Sequence, residues 1–386
     1  MTEAQSKKMK PDIRAITRLV PPAGNLVQGQ SELPIDPTLA REAAEIIAAS
    51  QNHYGASEGD SGLRAAVAEK IAKYNGIEID VEKQPAELMI TTGGTGALIG
   101  IAQSFLRGNA ALVFEPYYPY HRRIIEEFGG KTEVVEMDDD LTFDRELLLM
   151  HCRQLKDRAE FPLRMIIVCS PANPTGKVLT RQELEAVADV AKELDLLVVS
   201  DEVYEHYVMG ETPHIPIATL PEMWERTMTV NSFSKSWNIS GWRLGYTFGP
   251  GDLLSKVNNA VNVVYVCPVT PLQAALSRVL MSRADYYDKL REKFTGKRDF
   301  VLNALADLGF ETYDSGSGFY LWAKIPEGNS DAIKFNEMLM AKAEVAGTPG
   351  AAFADSDRWD AHMRICVARE DDILEGAMER FRKALA

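Results

Sequence analysis

The sequence is short of cysteine, of clustered histidine, of basic charge and of long apolar runs, and each shortage removes a class of function. Cys152, Cys169, Cys267 and Cys366 lie far apart with no Cys-x-x-Cys pair, which argues against a zinc site and a disulfide framework and leaves core thiols as the expectation. His53, His121, His151, His206, His214 and His362 are as scattered and offer no ligand spacing, so no metal is expected. Lysine and arginine number 42 against 56 acidic residues, a formal charge of -14, and no basic patch interrupts that balance; a phosphate backbone would be repelled, and no nucleic-acid partner is expected. No apolar run approaches membrane-spanning length, and the first thirty residues carry Lys7, Lys8 and Lys10 without the apolar stretch of a secretory signal, so the expectation is a cytoplasmic protein with no membrane partner.

What is present is a 386-residue chain, 46% hydrophobic, long enough for one large domain and one smaller one. Residues 1–35 are Pro-rich and irregular and read as an arm. Helical spacing follows from Thr38 to Ser50 and again from Asp60, a plausible N-cap, through Leu63, Val67 and Ile71. From Glu87 onward short apolar strands (88–91, 111–115, 132–135, 164–169 and 196–200) alternate with helical stretches, the pattern of an α/β fold with a mostly parallel sheet flanked by helices. After Tyr246, helices are expected over 251–280 and 284–308, then a smaller α/β unit with strands at 318–322 and 363–367, a helix over 330–343 and a closing helix from Glu370. The expected division is an arm (1–35), a large domain (36–283) and a small C-terminal domain (284–386). No internal repeat or low-complexity linker is visible.

In such a sheet, ligands sit at the carboxyl ends of the strands, and the chemistry-bearing residues gather there. Lys235 stands in Asn231-Ser-Phe-Ser-Lys235-Ser-Trp, just past an apolar segment, with Arg243 eight residues on in Gly241-Trp-Arg-Leu-Gly-Tyr. A lysine of ordinary pKa is almost wholly charged at neutral pH, so a nucleophilic one needs a desolvated, electropositive pocket or a permanent imine. Arg243 supplies a charge that forks onto phosphate oxygens, and Ser232 and Ser234 offer hydroxyls to the same anion. Together these suit an aldehyde that also carries a phosphate. Thr91-Thr-Gly-Gly94-Thr95-Gly places glycines where backbone N–H groups open a helix toward an anion. The same glycines, with Gly100, loosely imitate a dinucleotide fingerprint, but that reading leaves Lys235 and Arg243 unexplained. Asp201, ending an apolar strand, must be paired if buried.

The set resembles the class I/II aminotransferases, the fold-type I enzymes that use pyridoxal 5'-phosphate. The resemblance runs from Gly29 to Arg364 and rests on ordered motifs: Ser-Phe-Ser-Lys235 with Gly-Trp-Arg243-Leu-Gly-Tyr, Ser170-Pro-Ala-Asn173-Pro-Thr-Gly, Asp201-Glu-Val-Tyr204, Glu115-Pro-Tyr-Tyr118, Tyr54-x4-Gly-x3-Leu-Arg, and the strand bearing Arg364. It implies pyridoxal phosphate held as a Schiff base on Lys235, stacked by Tyr118, its ring nitrogen paired with Asp201 and its phenolic oxygen held by Asn173 and Tyr204. It places the phosphate on Ser232, Ser234, Arg243 and the Gly94/Thr95 turn, with Tyr54 reaching in from the other subunit of a homodimer. It puts Arg364 on the substrate carboxylate, and Gly29 with Asn173 beside the substrate. The implied activity is transfer of an amino group from an L-amino acid to a 2-oxo acid with ping-pong kinetics, with Lys235, Asp201 and Tyr204 as catalytic residues. Relatives that eliminate or replace a β- or γ-substituent share this cofactor site, and the fold also serves as a sensor domain in regulators that carry a winged-helix segment ahead of it, for which the N-terminal thirty-odd residues leave no room. Aspartate-selective relatives often carry a lysine where this chain has Thr95, and Tyr117, Tyr120 and Tyr320 would suit an aromatic or large aliphatic substrate.

Overall fold

The computed structural model describes residues 11–49, 52–283, 285–313 and 315–386; Lys7, Lys8, Lys10, Ser50 and the expected helix start at Ala284 lie outside them. Seven strands build the larger sheet: β1 (Leu88–Thr91), β2 (Ala110–Glu115), β3 (Lys131–Glu136), β4 (Leu163–Cys169), β5 (Leu197–Asp201), β6 (Thr227–Ser232) and β7 (Gly245–Phe248). Their spatial order is β1-β7-β6-β5-β4-β2-β3, and only β7 runs against its neighbours. Successive side chains point to opposite faces, and both faces are covered. Val198 packs with Leu148 and Leu184 from helices Arg145–Lys156 and Arg181–Glu193, while Val199 packs with Ile101 and Val257 from helices Gly93–Phe105 and Gly251–Tyr265. Double-sided burial explains why β5 is apolar throughout until Ser200 and Asp201.

Strand register is what assembles the site. Asp201 lies opposite Cys169 on β4 and Val230 on β6, so three parallel strands end level and release the Asn173 loop, the Tyr204 turn and the Lys235 turn on one rim. Helix Arg181–Glu193, which follows the Asn173 loop, starts on a reciprocal cap between Thr180 and Glu183.

A second, antiparallel sheet comprises β8 (Glu311–Thr312), β9 (Tyr320–Lys324), β10 (Thr348–Pro349) and β11 (His362–Cys366), in order β10-β11-β9-β8. Helices Tyr286–Asp307, Ala332–Ala343 and Asp371–Leu385 share its core, in which Val301, Phe335, Leu339, Ile365 and Phe381 are buried. Chain 25–30 runs beside this sheet: Leu26 pairs with Ala346 and Cys366, and the fully buried Arg369 donates to the carbonyls of Asn25, Gln28 and Gln30 at 2.7, 2.8 and 2.6 Å.

Several spans differ from the sequence reading: the arm read as irregular carries a helix, Ile13–Leu19, capped by Asp12, and helix Arg145–Lys156 and the two-residue strands β8 and β10 were not expected. The expected helix 251–280 is two helices, Gly251–Tyr265 and Thr270–Val279, broken where Val266 takes φ +61° and Pro268 cannot donate. The strand expected at 318–322 starts later, at Tyr320, because Gly318 N–H is spent on Tyr207 O at 3.0 Å. Strand β7 was not anticipated, its four residues being hidden in the turn that follows Arg243. Among the described residues, no helix is long and apolar enough to cross a membrane.

Candidate active site

Lys235 sits in a four-residue helix, Phe233–Ser236, released directly by β6 and capped by the Ser232 hydroxyl, which accepts from Ser234 N at 3.2 Å. Its ammonium donates to the carbonyl of Gly29 and lies 5.6 Å from the Phe319 ring centre. Burial, with the nearby charges of Arg364 and Arg243 acting in the same direction, pushes its pKa down to about 8. The neutral amine therefore becomes the major form above that pH. In the coenzyme-free protein, the rate of aldehyde capture is expected to climb about tenfold per pH unit up to pH 8 and then level off. A stopped-flow series with an aldehyde against pH checks this; continued climbing to pH 10 would show an ordinary lysine.

The other expected residues converge on the same rim. Asp201 is 3% exposed, and its Oδ2 lies 2.7 Å from Nε2 of His121. Tyr118 caps helix Pro119–Glu127, its ring stacked on Tyr120 (centroids 5.4 Å apart) and edge-on to His121 (5.3 Å). Tyr204 OH meets Tyr320 OH at 2.8 Å, and burial first, then that neighbour, raises the Tyr204 phenol so that it stays protonated at neutral pH. Arg364, 3% exposed on β11, donates Nη1 to Asn173 Oδ1 at 2.8 Å and Nη2 to Val27 O at 2.5 Å. Its guanidinium lies between the rings of Tyr320 and Phe353, at 4.5 and 4.8 Å, and its buried Nε has no partner among the described residues. A Cβ at Gly29 would come 1.9 Å from Tyr320 OH, so any side chain there would have to displace the buried Tyr320 ring.

The anion end is equally defined. Arg243 adopts φ +55°, donates Nη1 to Ser240 O at 2.9 Å and lays its guanidinium across Gly93. Gly93 itself has φ +66°, and a Cβ there would come 2.5 Å from Arg243 Nη2, so glycine alone allows the arginine to approach the helix start that carries Gly94 and Thr95. Tyr54 stands apart from this group, 87% exposed.

Residues 23–381 match the family profile "Aminotransferase class I and II". The chain belongs to that family. Among its relatives, an aspartate aminotransferase of Pyrococcus abyssi is 33% identical over 346 residues, covering 89% of this chain and 86% of that one. An aromatic-amino-acid aminotransferase of Thermococcus litoralis is 32% identical with the same coverage. The solved structure of N-succinyldiaminopimelate aminotransferase from Mycobacterium tuberculosis superposes with a TM-score of 0.90 at 29% identity, each chain covered in full. The protein is thus a pyridoxal-phosphate-dependent aminotransferase of fold type I.

The aminotransferase's residues fit that coenzyme on their own geometry. A desolvated amine, a buried carboxylate on the adjacent strand end, an aromatic face and an arginine laid over a side-chain-free helix start are what an aldehyde, a ring nitrogen, a flat heterocycle and a phosphate need. The sequence reading passed over His121, dismissed among scattered histidines. Its signal was the spacing Tyr118-x-x-His121, which puts both side chains on one face of the same helical turn. Val27, Phe353 and Thr348 were also missed, the last accepting from Arg364 Nη2 at 3.4 Å; they come from segments distant in sequence and carried no local mark.

Proposed function

We propose that this aminotransferase moves an amino group from an L-amino acid to a 2-oxo acid by alternating half-reactions, with Lys235 Nζ carrying the coenzyme covalently at rest and moving the proton at the substrate α-carbon. The observation that carries the reading is the set of Lys235, Asp201 and Arg364, the first with a lowered pKa, the second buried at the end of the neighbouring strand and the third with a buried Nε that has no partner among the described residues. Bound pyridoxal phosphate supplies the electron sink for the breaking C–H bond. The Asp201 carboxylate would pair with the ring nitrogen, and the 2.7 Å contact with His121 Nε2 fixes its orientation. Asn173 and Tyr204 offer an amide and a protonated phenol to the phenolic oxygen. Ser232, Ser234, Arg243 and the Gly94/Thr95 turn hold the phosphate. Arg364 binds the substrate carboxylate, with Gly29 and Asn173 beside it.

The same reading divides the chain into an arm (1–35), a large domain (36–283) and a small one (284–386), and makes the enzyme a cytoplasmic homodimer in which the exposed Tyr54 reaches the phosphate of the other subunit. Mixing Tyr54→Ala with Lys235→Ala protein after subunit exchange then creates one complete site per heterodimer, and activity is expected to rise well above either parent. No gain on mixing would place Tyr54 outside the site.

The substrate side chain is framed by Tyr120 and Tyr320. Tyr117 lines a cavity with Tyr118 and Asn173, its hydroxyl held by Asp355 at 3.2 Å and Arg122 at 3.0 Å. Relatives named for aspartate and for aromatic amino acids stand at similar identity, so a spectral screen decides. The visible band of the holo-protein is expected to fade with the true amino donor and return with a 2-oxo acid; release of ammonia without any oxo acid would contradict amino transfer. Arg364→Leu is expected to raise KM for the amino acid by about a hundred- to a thousandfold, the cost of one lost buried charge pair, while leaving a primary amine without a carboxylate unaffected. Equal losses on both substrates would mean that Arg364 serves the scaffold.

A further inference from the structure

Beneath the Lys235 turn lies a buried charge network that the reaction as described does not use. Glu205 opens a short turn, Glu205–Tyr207, four residues past Asp201, and is 7% exposed; Lys70, on helix Ser61–Asn75, is 1% exposed. The Lys70 ammonium binds Glu205 Oε1 and Tyr246 OH, the latter at 2.8 Å. Asn75 donates to Glu205 Oε2 at 2.6 Å, and His206 Nε2 lies 3.4 Å from Oε1. Burial alone would raise the Glu205 carboxyl, but Lys70 and the nearby His206 and His214 outweigh it and hold the group well below the usual carboxylate range. Glu202, Glu205 and His214 approach within metal-ligand reach, yet the Lys70 ammonium already takes the cation's part.

The network reaches toward the site through Asn231. Asn231 Nδ2 donates to Glu205 Oε1 at 2.5 Å, and its Oδ1 accepts the backbone N–H of Ser232 at 2.7 Å. Ser232 is the residue whose hydroxyl caps the turn carrying Ser234 and Lys235. Two residues past Glu205, Tyr207 OH separately holds the carbonyl of Lys235 at 2.8 Å. The Lys235 backbone thus has, besides the Ser232 cap, a second hold that does not pass through Asn231.

We infer that Glu205, clamped by Lys70, is a positioning residue for the coenzyme phosphate, acting through Asn231 on Ser232 while leaving attachment at Lys235 to other contacts. The inference rests on the coenzyme site proposed above. Its test compares pyridoxal phosphate with pyridoxal, which lacks the phosphate, by titrating coenzyme-free protein and following the visible band. In Asn231→Ala and in Glu205→Ala, affinity for pyridoxal phosphate is expected to fall about ten- to a hundredfold, the worth of one buried charge-assisted link, while affinity for pyridoxal stays within about twofold. If Glu205→Ala does not fold, Asn231→Ala, which leaves Lys70 paired with Glu205, carries the same expectation. The double variant Lys70→Met/Glu205→Gln, which removes both charges and keeps an acceptor for Asn231, is expected to hold pyridoxal phosphate almost as the native chain does. Equal weakening of both coenzymes, or no weakening in folded protein, overturns the inference and leaves the network as scaffold. A native chain that takes up neither coenzyme sinks the underlying site assignment instead.

Discussion

Lys235→Ala is expected to lower amino transfer by at least about ten-thousandfold, because one side chain is asked for both covalent attachment and proton movement at the α-carbon. No neighbour can substitute. Among the described residues, the other buried lysines, Lys70, Lys177 and Lys297, are committed to Glu205, Glu183 and Asp371. The variant should remain folded, since the amine makes one hydrogen bond, to Gly29 O, and its backbone is held independently by Tyr207. Substrate and coenzyme binding should therefore persist while turnover disappears. Single-turnover kinetics with preloaded coenzyme check this, and a loss below a hundredfold would remove Lys235 from the proton path.

Asp201→Asn is expected to be the second most damaging change, at about a hundred- to ten-thousandfold in kcat, the range spanned by removing one member of a buried ion pair. Asparagine preserves the size of the group and a hydrogen bond to His121, so the loss isolates the charge. KM should move little, because the partner proposed for the carboxylate is the coenzyme ring and not the substrate. His121→Phe should cost about tenfold, as it frees the orientation of the carboxylate without removing its charge. If Asp201→Asn and His121→Phe cost the same, the histidine holds more of the chemistry than its position implies.

Much of this site was legible in the sequence because its parts lie where chain geometry is local. Lys235, Asp201 and Asn173 each follow an apolar strand within a few residues, and parallel register brings such strand ends together without further information. Arg243 and the Gly94/Thr95 turn were readable for another reason, a phosphate-forking charge and glycines at a helix start; that the guanidinium lies over Gly93, where no side chain stands in its way, only the structure shows. What escaped was built from long-range packing. His121 matters only because its side chain reaches Asp201 at the end of β5, and Val27 only because chain 25–30 runs beside β11; neither fact is written in neighbouring residues. The break at Val266 was missed because the apolar periodicity continues across it, and the short β7 because its residues read equally well as loop.

The central claim is that one lysine, and this one, holds the coenzyme. Reducing the holo-protein with borohydride fixes the attachment permanently, and peptide mapping then locates the added phosphopyridoxyl group. The account predicts a single modified peptide containing Lys235, between Ser234 and Ser236. Modification of Lys70, Lys177, Lys297 or a surface lysine, with Lys235 recovered unmodified, would contradict it.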